Sequence, residues 1–347
     1  QAGDPSSALP RGLAARTGVI ELPHHPRTLP SRIQRNAVRL VRGVPPLWGR
    51  FAGFEDKVSK FVEGCSYDVA VIEHFWCAPY VEVLRRKAAR VVMNLHNIES
   101  VLHSRYGQAE GGAARWAHRR FARAYQELER EWLPQFDLLL TASSEDALRL
   151  AGTNAVVYPN AVPHRPLTPA FDAARLPIVA FSGNMEYHPN VQAVRWFARE
   201  VWPRVKLARP DAEWILIGKN EHAIRPHIAG LAGVRCTGMV EDAVDELSRA
   251  ALAVVPLLSG SGTRLKILEA WAAGTPVIST TIGAEGLGPA AGLPLELANH
   301  PGEFSAAIVR LLDAPARRAT LAKAARRLYE ESFTWEAAWK VLSGAGL

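Results

Sequence analysis

Cysteine is scarce in this 347-residue chain, which contains only Cys65, Cys77 and Cys236. Three cysteines cannot build a disulfide framework, and no Cys-x-x-Cys pair or cysteine–histidine cluster has the ligand spacing of a zinc site. No apolar run reaches the roughly 18–20 uninterrupted residues that a membrane-spanning helix needs. The sequence therefore argues against a disulfide scaffold, a zinc module and a membrane-spanning helix.

Two catalytic patterns are also missing. The chain has no Asp-x-Asp pair that would suggest a bound divalent metal, and no Gly-x-Ser-x-Gly elbow that would carry a serine nucleophile. We therefore expect no metal, no resident cofactor and no covalent protein nucleophile.

Positive charge is unevenly distributed. Residues 1–165 carry 22 Lys and Arg against 16 Asp and Glu, which is +6 of the net +7. Such an excess attracts an anionic surface, either nucleic acid or lipid headgroups. The basic residues are scattered rather than set on a recognisable motif, which argues against DNA binding. A predicted amphipathic helix over 115–132, with Arg115, Arg119, Arg120 and Arg123 on one side, is either an ordinary solvated face or a membrane-surface element.

Apolar runs alternate with helical stretches along most of the chain. Before the proline-rich segment 163–177 the predicted strands include YDVAVIEH, ARVVMNLH and DLLLTAS, and VIEL near the start is a candidate short strand. After that segment they include PIVAFSG, EWILIG, GVRC, LAVVPL and PVIST. Continuous apolar strands separated by helices predict parallel sheets covered on both faces. We therefore expect an α/β protein with two doubly wound, Rossmann-like domains facing a cleft, over 1–165 and 166–330, followed by a helix over 331–347.

The stretch LLSGSGTRLKILEAW is the most informative one. It predicts a strand, then a glycine-containing loop, then a helix that begins near Thr263. A helix amino terminus presents free N–H groups and partial positive charge to an anion. Cations are disfavoured there, so Arg264 and Lys266 in the first turn suggest a phosphate-bearing ligand. The alternative is that Lys266 pairs with Glu269 while Arg264 points to water.

Ligands of doubly wound sheets bind beyond the carboxyl ends of the strands. His96 ends one predicted strand, and His74 ends its neighbour; each is either a structural histidine or a site residue. Asn160 is either a turn residue or part of the cleft. Glu269, one and a half turns into its helix, is placed to accept hydrogen bonds from ribose hydroxyls.

The segment SGTRLKILEAWAAGTPVISTTIGAEGL closely resembles the donor-site signature of retaining glycosyltransferases of family 4, which have the GT-B fold. Further similarity lies in VVMNLHNIES, VVYPNAV, PIVAFSGNMEYHPN and FTWEAAW, in family order over about residues 67–340. The resemblance implies a nucleotide-sugar donor held mainly by the second domain and transfer of the sugar to a hydroxyl with retention at the anomeric carbon. It also implies that the helix at 331–347 packs back toward the first domain.

The resemblance assigns roles to individual residues. Glu269 matches the glutamate that contacts the ribose, and Ser261 stands where the family usually has a second glutamate that touches the donor sugar. Arg264 and Lys266 become the candidates for neutralising the diphosphate. The remaining matches are His96 near the donor sugar, Gly183 and Asn184 after the first strand of the donor domain, Met239 and Val240 around the base, and backbone N–H groups of Gly262 and Thr263.

Proteins of this kind open with a strand and a glycine-rich loop that nothing before Val19 resembles. Since the chain begins with Gln1, we expect that roughly 40–60 residues precede it in the natural protein. Two other hypotheses are a non-catalytic protein that binds sugar nucleotides or glycans, and a sugar-nucleotide epimerase of the same fold. The basic first half favours a glycan or lipid-linked acceptor and a cytoplasmic protein at the inner face of a membrane.

Overall fold

The structure is a computed structural model that describes residues 14–23, 28–109, 111–166, 176–259, 264–289 and 292–347. The chain divides into two compact units, Gln1–Leu140 with Gly152–Ala155 and Thr141–Ala151 with Val156–Leu347. The domain boundary at 165–166 stays a prediction.

The first sheet has four strands in the order β1-β2-β3-β4. They are β1 Tyr67–Glu73, β2 Ala88–Leu95, β3 Leu138–Thr141 and β4 Ala155–Val157. β1 and β2 are parallel, with Glu73 opposite Asn94. The centre of β2 and all of β3 are buried, as their apolar runs predict. The candidate strand VIEL is wrong, because residues 19–22 form no strand.

Seven α-helices accompany these strands in the described part of the chain. They are α1 Leu29–Arg42, α2 Trp48–Phe51, α3 Glu55–Phe61, α4 Val81–Leu84, α5 Glu99–Ala109, α6 Gly112–Trp132 and α7 Ser144–Arg149. α6 starts three residues before its predicted position and packs along α5. Ser143 caps α7 by accepting a hydrogen bond from the amide of Asp146.

Two glutamates lie together between α5 and α6, the first buried and the second half-buried. Glu99 is 2% exposed. Glu129 accepts hydrogen bonds from the amide and the hydroxyl of Ser100, at 3.0 and 2.5 Å. Burial, and then the charge of Glu129, raise the pKa of Glu99 to about 8. This carboxyl group is therefore held protonated in the folded protein at neutral pH.

The second sheet has six parallel strands in the order β10-β9-β8-β5-β6-β7. They are β5 Ile178–Ser182, β6 Glu213–Ile217, β7 Val234–Gly238, β8 Leu252–Val255, β9 Val277–Ser279 and β10 Glu296–Leu297. This is the doubly wound order, in which the direction of winding reverses between β5 and β8. β5 and β8 are buried throughout because helices cover both faces. The predicted α/β fold is thereby confirmed.

Helices of the second part of the chain include α8 His188–Trp196, α9 Trp202–Ala208, α10 Arg225–Ile228, α11 Ala243–Ser248, α12 Leu265–Ala272, α13 Pro301–Asp313, α14 Pro315–Ser332 and α15 Trp335–Gly344. Thr334 caps α15 by accepting from the amide of Ala337. α15 contacts α14; its packing toward the first domain stays a prediction. Within the described ranges, no helix combines the length and the apolar character needed to cross a bilayer.

A π-helical turn, Phe197–Val201, joins α8 to α9. Phe197, its first residue, and Trp202, the residue that follows it, are both buried in the core, where the ring centroids of Phe197 and Trp214 lie 4.5 Å apart. Phe304 of α13 meets Phe197 edge-on at 5.9 Å. This aromatic cluster anchors the whole helical segment against the sheet.

We predict that Glu99→Gln stabilises the protein in a pH-dependent way. The folded pKa of about 8 exceeds the ordinary value of 4.5, so the unfolded chain releases this proton first and the wild type loses stability as pH rises from 4.5 to 8. Glutamine removes that loss. In urea unfolding, the free energy of unfolding of the variant should exceed that of wild type by at least about 1 kcal/mol at pH 8, and the difference should be smaller at pH 5.

An exposed glutamate of the neighbouring helix α6 supplies the control, Glu127→Gln. That variant should show no pH-dependent gain. An equal effect of Glu99→Gln at both pH values would contradict the burial argument.

Candidate functional site

A cavity of about 290 Å³ opens beyond the carboxyl ends of β5, β6 and β7. Ligands of doubly wound sheets bind at this edge, near the reversal of strand order. Five of its lining residues are predicted site residues. They are Gly183, Asn184, Met239, Val240 and Glu269. The other lining residues are Ile217, Gly218, Lys219, Glu241 and Ala243.

Two glycines form one wall of this cavity by direct backbone contact. Gly183 has φ +142° and Gly218 has φ +138°, conformations that side chains rarely adopt. A Cβ atom on Gly218 would overlap the carbonyl oxygen of Gly183, and one on Gly183 would lie 2.8 Å from Asn190 Nδ2. The wall is therefore main chain, which a ligand can approach closely, although the N–H groups of Gly183 and Gly218 already donate to the carbonyls of Ile217 and Gly238.

The loop before α12 is only partly described. Ser261, Gly262 and Thr263 lie outside the described residues. The helix begins at Leu265, so the predicted start at Thr263 is two residues too early, and Arg264 is the residue preceding the helix. Arg264 is 8% exposed, and its Nη2 donates to the carbonyl of Ile282 at 3.3 Å. The alternative in which Arg264 points to water is therefore wrong, and Arg264 is not among the residues that line the cavity.

Lys266 reaches from α12 toward the end of β5. Its Nζ donates to Asn190 Oδ1 at 3.1 Å and lies 5.4 Å from the ring centroid of Phe181. A Cβ on Gly183 would be 3.4 Å from this nitrogen. Burial and the nearby Arg264 charge lower the pKa of Lys266 to about 8, against an opposing effect of Glu269. Lys266 thus supplies a positive charge beside the cavity, and little solvent surrounds its ammonium group.

Glu269 lies one turn further along α12 and lines the cavity. Its Oε2 accepts a hydrogen bond from the hydroxyl of Ser182, the last residue of β5, at 3.2 Å. Burial raises the pKa of Glu269, and the charge of Lys266 and the Ser182 hydrogen bond oppose that rise. The carboxylate is consequently oriented by the sheet and is able to accept hydrogen bonds from a ligand's hydroxyl groups.

The other predicted lining residues differ in exposure. Asn184 Oδ1 accepts from Asn220 Nδ2 at 2.8 Å and from the amide of Glu186 at 3.3 Å, which fixes the loop after β5. Met239 is 81% exposed and Val240 is half-buried, so both offer apolar surface at the far end of the cavity. A flat aromatic base would pack on such a surface.

His96 follows β2 in the amino-terminal sheet. Its Nε2 lies 2.7 Å from Glu73 Oε2, and Asn94 Nδ2 donates to the same oxygen at 2.9 Å. Asn94 in β2 and His96 just beyond its end therefore both reach Glu73 of the neighbouring strand β1. The hydrogen bond from His96 lowers the pKa of Glu73.

His74 contacts His96 directly. Their ring centroids are 4.3 Å apart, and His74 also stacks on Trp76 at 4.3 Å. His74 has φ +69°, which is uncommon for a residue with a side chain. Burial, followed by the nearby His96, lowers the pKa of His74. Strained backbone of this kind is concentrated at functional sites, so this histidine pair is a candidate second site.

Three side chains that orient the predicted site residues were missed in the sequence analysis. Glu73 could have been found, because a carboxylate at the end of an apolar strand is a pattern that the sequence shows. Asn190 follows a proline at the start of α8 and Ser182 closes β5; neither position has a pattern of its own. Over the described ranges, no three His, Cys, Asp or Glu side chains gather as a metal site; metal independence stays a prediction.

Comparison with known proteins agrees with this geometry. Residues 176–314 match the family described as glycosyl transferases group 1. A GDP-mannose-dependent monoacylated α-(1-6)-phosphatidylinositol monomannoside mannosyltransferase of Corynebacterium glutamicum is 33% identical over 147 residues, which is 39% of this chain and 38% of that protein. An uncharacterised protein of the cps region of Klebsiella pneumoniae is 28% identical over 139 residues, 38% of this chain and 36% of its own length. The matches thus span under two fifths of each relative.

Solved structures share the fold across most of the chain. Sucrose-phosphate synthase of Thermosynechococcus elongatus gives a TM-score of 0.67 at 20% identity, covering 87% of this chain and 78% of its own. HepE of Anabaena in complex with UDP-glucose gives 0.60 at 16% identity, covering 84% and 81%. The resemblance to glycosyltransferases and the GT-B fold is confirmed, and the narrower assignment to family 4 stays a prediction.

Proposed function

We propose that this chain transfers a hexose from a nucleoside-diphosphate donor to a hydroxyl group, with retention at the anomeric carbon. The observation that carries the proposal is the cavity beyond β5, β6 and β7, because it joins a main-chain wall, the Glu269 carboxylate and the nearby Lys266 ammonium. A nucleotide sugar has complementary parts: a flat base, a ribose diol and a diphosphate. The match of residues 176–314 to group 1 glycosyl transferases supports the same reaction.

In the proposed mechanism, the bond between the sugar and the diphosphate breaks while the acceptor hydroxyl attacks the anomeric carbon from the same face and passes its proton to the departing diphosphate. The protein contributes positive charge where negative charge develops on the leaving diphosphate. Lys266 supplies that charge, assisted in the proposal by Arg264 and by the backbone of Gly262 and Thr263, so no metal or other cofactor is required. By analogy, removing one hydrogen-bond donor from an oxyanion hole, which also stabilises developing negative charge, costs about 10²–10³ in rate.

The histidine pair of the amino-terminal unit has a role in the same proposal. His96, whose ring is oriented by Glu73, hydrogen bonds the donor sugar. Ser261, in place of a second glutamate, contributes to the choice of sugar. GDP-mannose and UDP-glucose are the first donors to test, since a mannosyltransferase named for GDP-mannose and a structure bound to UDP-glucose are among the similar proteins. Product analysis with a labelled donor separates transfer from epimerisation and from binding alone.

We predict that binding of GDP or UDP weakens above pH 8. The lowered pKa of Lys266, about 8, means that the free protein loses this charge as pH rises through that value, so a diphosphate then binds only with uptake of a proton. The dissociation constant should rise by up to about tenfold per pH unit above 8. Calorimetric titration between pH 6.5 and 9.5 measures it.

The Lys266→Met variant should bind GDP and UDP weakly at pH 7, and its affinity should no longer fall as the pH rises through 8. Its matched control is Lys340→Met, which removes an exposed lysine of α15 and should behave as wild type. If the affinity of Lys266→Met still falls near pH 8, the pH dependence belongs to another titratable group.

We predict that Glu269 confers discrimination for ribose over deoxyribose. A hydrogen bond to a charged group is worth about 1.5–3 kcal/mol, so wild type should bind GDP or UDP about 10–100 times more tightly than the 2′-deoxy nucleotide. Glu269→Gln should shrink that ratio several-fold while changing affinity for the deoxy form little. A ratio that is unchanged in the variant, measured by competition titration, would place the ribose elsewhere.

We further propose a glycan or lipid-linked acceptor, and a cytoplasmic protein that contacts the inner face of a membrane through its amino-terminal unit. α1 exposes Ile33, Val38 and Val41, which are 61%, 45% and 81% exposed. Its basic residues Arg39 and Arg42 have no carboxylate within salt-bridge distance in the described part of the chain. Apolar side chains beside unneutralised arginines suit an anionic lipid surface.

We predict that wild type cosediments with phosphatidylglycerol vesicles and much less with phosphatidylcholine vesicles. Val41→Asp should weaken binding about tenfold, because burying a valine side chain is worth about 1.5 kcal/mol. Leu207→Asp, at a position 86% exposed on α9, is the matched control and should bind as wild type. Equal losses in both variants would contradict a surface on α1.

A further inference from the structure

Asn190 is a polar residue that is only 2% exposed, at the start of α8. Both ends of its side chain are engaged. Oδ1 accepts from Lys266 Nζ at 3.1 Å, and Nδ2 donates to the carbonyl oxygen of Asn184 at 2.9 Å. An ammonium only donates and a carbonyl only accepts, so the two partners together fix the orientation of the amide. Asn190 therefore links the cation of α12 to the loop after β5.

Lys266 needs such a partner. Its four-carbon stem is flexible, and ordering it costs conformational entropy. The charged groups that act on it are Arg264, just before α12, and Glu269, within α12, and their effects on its pKa are opposite. From β5 and α8 it meets Phe181, Gly183 and Asn190, and none of these three carries a charge.

We propose that Asn190 is a positioning residue that holds the Lys266 ammonium beside Gly183, ready for the diphosphate of the donor. The role rests on the proposed function for its ligand, and on the observed contacts for its geometry. Gly183 belongs to the same arrangement, since a Cβ there would lie 2.8 Å from Asn190 Nδ2 and 3.4 Å from Lys266 Nζ. An added methyl group would compete with both side chains.

The chemical identity of residue 190 matters for this role. A neutral amide oxygen orients an ammonium group without cancelling its charge. An aspartate would orient it as well but would form an ion pair with it, and an incoming diphosphate would then have to compete with that carboxylate. An alanine would leave the ammonium without this acceptor and free to move. The two substitutions therefore shift the titration midpoint of Lys266 in opposite directions, and both weaken the binding of the diphosphate.

The first measurement reports on the lysine alone. The chain has eight lysines, so ¹³C-lysine labelling gives a simple NMR spectrum, in which Lys266→Arg identifies the signal of residue 266. The titration midpoint of Lys266 in the ligand-free protein should fall in Asn190→Ala, which loses an acceptor, and rise by about one pH unit or more in Asn190→Asp. Thermal unfolding verifies that each variant is folded. If Asn190→Ala does not fold, the near-isosteric Asn190→Asp still provides the test.

The second measurement is the affinity for GDP and UDP at pH 7. Both variants should bind more weakly, with the larger loss, about tenfold or more, in Asn190→Asp, although that variant holds the lysine more firmly. Asn299→Ala is the matched control, because Asn299 also uses both ends of its amide, toward Thr281, and does not line the cavity. It should change neither measurement.

The outcomes separate the two proposals. A Lys266 midpoint that stays the same in both folded variants would overturn the positioning role whether or not a nucleotide binds. Affinity unchanged in Asn190→Asp would overturn it as well. Wild-type protein that binds neither GDP nor UDP, with the midpoints shifted as expected, would instead overturn the proposed function and leave the Asn190–Lys266 contact established.

Discussion

The cation at the start of α12 is held in place by uncharged groups. Lys266 donates to an amide oxygen, lies over an aromatic ring and approaches a glycine, and the carboxylate nearest in sequence, Glu269, is oriented by Ser182 instead. This arrangement keeps the ammonium available, since none of its direct contacts neutralises it. It also carries a cost, because a lysine with little solvent and an arginine beside it has a lowered pKa. A bound anion would remove that cost.

The fold could be predicted from the sequence because its strands are nearly continuous apolar runs. PIVAFSG and LAVVPL predict the ends of β5 and β8 to within two residues, since a parallel strand covered on both faces has no polar positions to interrupt the apolar pattern. The amino-terminal region was harder. VIEL has the composition of a strand but no neighbour to pair with among the described residues, and composition alone cannot supply one.

The candidate site could be predicted in part, for a related reason. Residues that directly follow strands, such as Gly183, Asn184 and Met239, are found because topology places strand ends at one edge. Asn190 and Ser182 act through side-chain contacts with residues about 76–87 positions away, which no local pattern records. Arg264 shows the opposite case: its position in the motif is suggestive, yet its side chain is buried against the Ile282 carbonyl.

The π-helical turn at Phe197–Val201 links the site to the core. An α-helix advances about 100° per residue, so one extra residue in a turn rotates everything after it by that amount. The amino end of α8 must aim Asn190 at Lys266, whereas α9 must aim Trp202 at the sheet. A regular α-helix of the same length would misdirect one of these two side chains. The wider π-helical turn allows one continuous helical segment to orient both.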